Sequence, residues 1–97
     1  MRFDAGSLTI ATAGTQLQFS NTSDRVKSIS VRSRSANTGI VAFGVSDVSA
    51  IATIDGWVLQ PGESKTVDFG EGSVLFSIFY GDAAVNGEIL DWAVILE

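Results

Sequence analysis

Val26-Lys27-Ser28-Ile29-Ser30-Val31-Arg32-Ser33-Arg34 carries a clear strand pattern. In an extended chain Ile29 and Val31 share one side, while Ser28, Ser30, Arg32 and Arg34 share the other, as in a strand buried on one face only. Downstream, Asn37-Thr38-Gly39 reads as a reversing turn, because Asn and Gly both tolerate positive φ. Residues 40–45 form a nearly continuous apolar run, and 46–55 a long connection of the kind that is often functional in a compact domain. A short strand at 57–59 then enters Gln60-Pro61-Gly62-Glu63, where Pro presets the second position and Gly supplies positive φ at the third, a type II turn. Residues 64–69 alternate again, with Val67 and Phe69 inward.

The same alternation runs outward in both directions. Residues 7–11 and 15–20 read as two strands around Gly14, and Asn21-Thr22-Ser23-Asp24 is a polar break. After Gly70-Glu71-Gly72, residues 74–80 read as a strongly apolar strand and 81–87 as a polar loop. Residues 88–96 close the chain with Leu90, Trp92, Val94 and Leu96 on one side. No sustained 3.6-residue period interrupts this pattern, so an all-β fold is expected. Eight strand candidates in 97 residues predict one antiparallel β-sandwich spanning 1–97, of jelly-roll or related topology, with residues 1–6 as the candidate flexible arm.

Composition narrows the function classes. A domain of this length buries about two-thirds of its unfolded surface. It has no cysteine with which to staple itself, so oligomerisation is expected to reinforce it. Hydrophobic residues make up 45% and charged residues 18%, an apolar excess for so small a domain that predicts surface covered by copies or partners. A net charge of −5 without a basic run argues against nucleic acid. No apolar run approaches the roughly 20 residues that span a bilayer, and the first residues lack the order of a signal peptide. A soluble chain made in the cytoplasm, with no membrane partner, is expected.

Histidine and cysteine are both absent, which removes His-based triads, His metal sites and thiolate nucleophiles. No cofactor and no enzymatic activity are expected. Two carboxylate pairs, Glu88 with Asp91 and Asp47 with Asp55, have the chemistry for glycoside hydrolysis, although acids at strand ends and in loops are ordinarily solvated. Acids in the 46–55 loop, or Asp82 with Asn86, offer oxygen ligands to calcium, without the spacing of an EF-hand. Trp57 and Tyr80 are the candidates for stacking on a sugar ring. Trp92, in phase with Leu90 and Val94, reads as core.

The apolar excess concentrates on second faces. Ile40 and Ala42 lie opposite Val41 and Phe43; Leu75 and Phe79 lie opposite Val74, Phe76 and Ile78; Ile89 and Ile95 lie opposite Leu90 and Val94. These six are the candidate oligomer and partner contacts, with cover by a loop of the same chain as the alternative for 40–45. Phe3, Ile51 and Ile54 are further candidate contacts, one in the arm and two in the long loop.

Ser35-Ala36-Asn37-Thr38-Gly39, Phe43-Gly44-Val45-Ser46-Asp47-Val48-Ser49-Ala50 and Gly56-Trp57-Val58-Leu59-Gln60-Pro61-Gly62-Glu63-Ser64 together resemble a small β-sandwich module of tailed-bacteriophage virions, found in capsid decoration and head-fibre proteins. The resemblance covers about half of the chain and rests on turn residues; Ile51-Ala52-Thr53-Ile54-Asp55 and Val58 depart from it. It implies a non-enzymatic virion structural protein, made in the host cytoplasm, that binds the outside of the head. Its implied partner is the major capsid protein or another virion protein, for which the candidate contacts Phe3, Ile51 and Ile54 lie outside the matching positions, and its implied assembly is a homotrimer. The other readings are a carbohydrate-binding or host-adhesion module, and a tail or fibre subunit.

Overall fold

Alternation in the sequence becomes nine strands among the residues described by the computed structural model, which are 2–45, 48, 50 and 56–97. They are β1 (Arg2–Ile10), β2 (Leu17–Gln18), β3 (Arg25–Ser33), β4 (Val41–Gly44), β5 (Trp57–Leu59), β6 (Ser64–Asp68), β7 (Val74–Leu75), β8 (Tyr80–Ala83) and β9 (Glu88–Leu96). One sheet has the order β1-β9-β3-β6, with β7 beside the start of β3; the other has β2-β8-β4-β5. Every pairing is antiparallel. The chain passes back and forth between the layers so that its first and last strands lie side by side, the strand order of a jelly roll.

The inward side chains of both layers make one core. Ile29 and Val31 from β3 and Leu90, Val94 and Leu96 from β9 meet Val41, Phe43 and Leu59 from the facing sheet. Burying each such side chain contributes about 1.5–3 kcal/mol, so the alternation of β3 and β9 is what commits them to the centre. Phe43 stacks on Phe19 at 6.3 Å. Trp92 meets Phe76 edge to face at 5.1 Å and lies over Gly6, where a Cβ would come within 2.6 Å of the indole. The Pro61-Gly62 turn has the expected form, with Gly62 at φ 87° and Glu63 N–H donating to Gln60 O at 2.9 Å.

Several expectations are corrected. Residues 2–6 are no arm: Arg2 to Gly6 pair with Leu96 to Trp92 along β9. Asn37-Thr38-Gly39 makes no hairpin, since β3 and β4 belong to different sheets and neither Asn37 nor Gly39 has positive φ. It is a crossover, and Gly39 fits closely there, because a Cβ would sit 2.8 Å from Val85 Cγ2 and oblige that side chain to shift. The expected strand at 74–80 is broken by a 3-10 turn at Phe76–Ile78. With three residues per turn, Phe76 and Phe79 point the same way, so Phe79 is buried and Ile78 is exposed, the reverse of strand phase. The expected loop at 81–87 begins as strand β8. The expected strand at 15–20 shrinks to Leu17–Gln18, although Phe19 still points into the core.

Candidate functional site

The acids weighed as catalytic or ligating are mostly structural. Glu88 and Asp91 lie on opposite faces of β9, Glu88 inward and buried, Asp91 outward, so they cannot flank one bond. Glu88 Oε1 accepts from Thr38 N–H (2.7 Å), Gly39 N–H (2.7 Å) and Thr38 Oγ1 (3.1 Å), which ties the crossover down. Asn37 completes that anchor: its Nδ2 donates to Ile89 O and Ser33 Oγ, and its Oδ1 accepts from Ile89 N–H. Asp82, wholly buried, accepts from Gly14 N–H at 3.0 Å and Ala50 N–H at 2.9 Å. Asn86 Oδ1 accepts from Ala13 N–H at 2.7 Å. The oxygens of Asp82 and Asn86 are thus engaged by backbone amides, those of the adjacent Gly14 and Ala13 and, for Asp82, of Ala50. Asp47 and Asp55, like Ile51 and Ile54, lie outside the described residues.

Asp82 explains the fate of one second face. Val48 and Ala50, from the connection between β4 and β5, pack on Ala42 and Tyr80 over the outside of the β2-β8-β4-β5 sheet. Ala42 is therefore wholly buried by its own chain, and the expectation that it faces another molecule is corrected in favour of the intramolecular cover. Phe79, buried in the core against Phe69 at 6.2 Å, is corrected likewise. Ile40 and Ile89 are half-buried beside the crossover. Of the sugar-stacking candidates, Tyr80 belongs to the covered face. Trp57 is half-exposed at the sheet edge, with Phe43 against its ring at 5.1 Å and Lys65 Nζ 5.5 Å from its centroid. Those neighbours occupy part of the indole and leave the rest to solvent.

The other outer face has no such cover among the described residues. Across the β1-β9-β3-β6 sheet, the register lays out rows of outward side chains. Phe3, Ile95, Ser28 and Asp68 form one row; Ala5, Ala93, Ser30 and Thr66 the next; Ser7, Asp91, Arg32 and Ser64 the third. The first end is apolar: Phe3 is 73% exposed, Ile95 37%, and Leu75, opposite Arg25 beyond the same end, 39%. The middle is flat and small. The far end is charged. Three of the sequence candidates, Phe3, Leu75 and Ile95, are thereby brought to one end of one face.

Asp91 organises the charged end. Its Oδ1 accepts from Arg34 Nη2 (2.6 Å) and Ser7 Oγ (2.8 Å), and its Oδ2 from Arg32 Nη2 (3.1 Å) and Arg34 Nε (3.2 Å). Hydrogen bonding from Arg34 is the main cause that holds the Asp91 carboxyl well below the usual carboxylate range, with Ser7 and Arg32 adding to it and partial burial opposing. Two guanidiniums share one carboxylate, so this corner carries a net positive charge in a protein of net charge −5. Sequence pattern alone does not single out this cluster, because Arg32 and Arg34 stand 59 and 57 positions from Asp91 and only the β3-β9 register joins them.

The fold and this face define an antiparallel jelly-roll sandwich with one self-covered and one uncovered outer surface. No pocket is found, and no group of three or more acids that could hold a metal, among the described residues. Comparison with protein families, curated proteins and solved structures finds no match.

Proposed function

We propose that this chain is a non-enzymatic virion structural protein, a decoration module that docks on the outside of a bacteriophage head. Three things support the reading: the resemblance of residues 35–64, the jelly-roll topology, and above all the uncovered sheet face with its graded chemistry. Phe3, Ile95 and Leu75 would provide apolar burial, the flat Ala and Ser rows close approach, and Arg32 and Arg34 a charged contact that fixes orientation. Repetition over many capsid sites would turn a modest contact into avid binding.

The test is co-sedimentation of the purified chain with phage heads that have been stripped of surface proteins, with antibody-gold labelling of intact particles. Labelled heads and saturable binding at a fixed number of copies per head are expected. Particles that carry no label and heads that bind none of the chain would overturn the reading, and labelled tails would move it to the tail or fibre.

A further inference from the structure

β1 ends its sheet, and β9 is its one strand partner among the described residues. Its unpaired side is defined by hydrogen bonding. Arg34 N–H donates to Ile89 O, so the odd residues of β9 turn their backbone groups toward β3 and the even ones toward β1. By the register, Asp4, Gly6 and Leu8 bond to β9, while Phe3, Ala5, Ser7 and Thr9 direct N–H and C=O away from the molecule. Ala5 confirms this, since its N–H is met at 2.9 Å by the neighbouring Asp4 carboxylate. The opposite edge, β6, is guarded: Lys65, across from the buried Val31, points inward over Trp57.

We infer that β1 pairs with β1 of a second copy, antiparallel about a two-fold axis, with Phe3 opposite Phe3 of the other molecule. The segment Arg2-Phe3-Asp4 is self-complementary in that register. Arg2 of each copy falls opposite Asp4 of the other, and the two phenyl rings lie side by side on the outer face. Phe3 N–H and C=O, both turned outward, supply the central pair of hydrogen bonds. Centring on Asp4 would instead oppose two carboxylates. Arg2 already holds Asp24 at 2.7 Å, an exposed pair that leaves the guanidinium donors for a second carboxylate. Pairing joins the sheets edge to edge and merges Leu75, Ile95 and Phe3 of both copies into one strip. Such an assembly closes at two copies, whereas the virion resemblance implies three.

This inference stands without the capsid reading, because it is read in the absence of particles. The experiment is light scattering on a sizing column over a range of concentrations, for the wild-type chain, Asp4→Arg, Arg2→Asp and the double exchange Arg2→Asp/Asp4→Arg. Circular dichroism checks each fold, and Phe3→Ser replaces any charge variant that fails to fold. A wild-type dimer is expected, with association weakened roughly tenfold to a hundredfold in favour of monomer by either single reversal or by Phe3→Ser, and restored dimer in the double exchange. A monomer at the highest soluble concentration, a trimer, or a dimer indifferent to Asp4→Arg and Phe3→Ser would overturn it.

Discussion

Ala42 and Ala93 sit on interior strands, each on the outward side of its sheet, yet one is wholly buried and the other half-open. Over Ala42 the chain folds back its own Val48 and Ala50, and the buried carboxylate of Asp82 fastens that segment by Ala50 N–H. Over Ala93 no such cover is folded among the described residues, and its sheet neighbours are Ala5 and Ser30. A small domain has two ways to treat the outer side of its sheets. It can fold further chain over the face, as over Ala42, or leave it open, as over Ala93 among the described residues.

The covered side is where substitution is expected to cost most. Asp82→Ala leaves the buried Ala50 N–H without its acceptor and the Gly14 N–H with Ala83 O alone, and should destabilise by about 3 kcal/mol in urea denaturation. It should also raise hydrogen exchange across β4 and β8; unchanged stability would mean that the cover is not fastened by Asp82. Gly56, at the far end of the same connection, has φ +100° and no room, since a Cβ would lie 2.7 Å from Val48 Cγ2 and 2.8 Å from Phe43 O. Gly56→Ala should therefore cost about 2 kcal/mol through strain and displaced packing. A stability equal to wild type would show that the connection has slack.

The uncovered side should behave differently. The Asp91 cluster is a titrating feature of that face, and its sign follows from the lowered folded carboxyl. Its contribution is complete above roughly pH 4, the unfolded value, and fades as pH falls below it toward the folded one. Asp91→Asn should then flatten the stability profile between about pH 2 and 4 relative to wild type; parallel profiles would contradict the assignment. Least of all, Ile95→Ser should change stability by under about 0.5 kcal/mol, because the side chain is already in contact with water. A large loss there would mean that the face is not free.

Much of this fold is legible in residue order. β3 and β9 alternate because one side of each meets the core, and Gln60-Pro61-Gly62-Glu63 turns as its backbone preferences require. What is illegible has physical causes. Arg2 to Gly6 do not read as strand, because Arg2 and Asp4 lie on the inward side yet remain exposed, so the edge shows no hydrophobic alternation. Phe76 to Phe79 change period from two to three within a run that is apolar throughout. Asp82 and Glu88 resemble solvated loop acids until the amides that surround them are known. Of the site, Phe3, Leu75 and Ile95 are visible as surplus apolar residues, but their union on one face needs the β1-β9-β3 register, which no local pattern encodes.

If the outer face of the β1-β9-β3-β6 sheet, uncovered among the described residues, is what docks on a head, its apolar end should decide binding. Ile95 and Val85 are exposed to similar extents, 37% and 41%, the first on that face and the second in the loop between β8 and β9. The direct measurement is head co-sedimentation of Ile95→Glu beside Val85→Glu, each first shown to melt as the wild type does. Ile95→Glu should lose binding while Val85→Glu keeps it. Equal binding by both, or loss only in Val85→Glu, would contradict it.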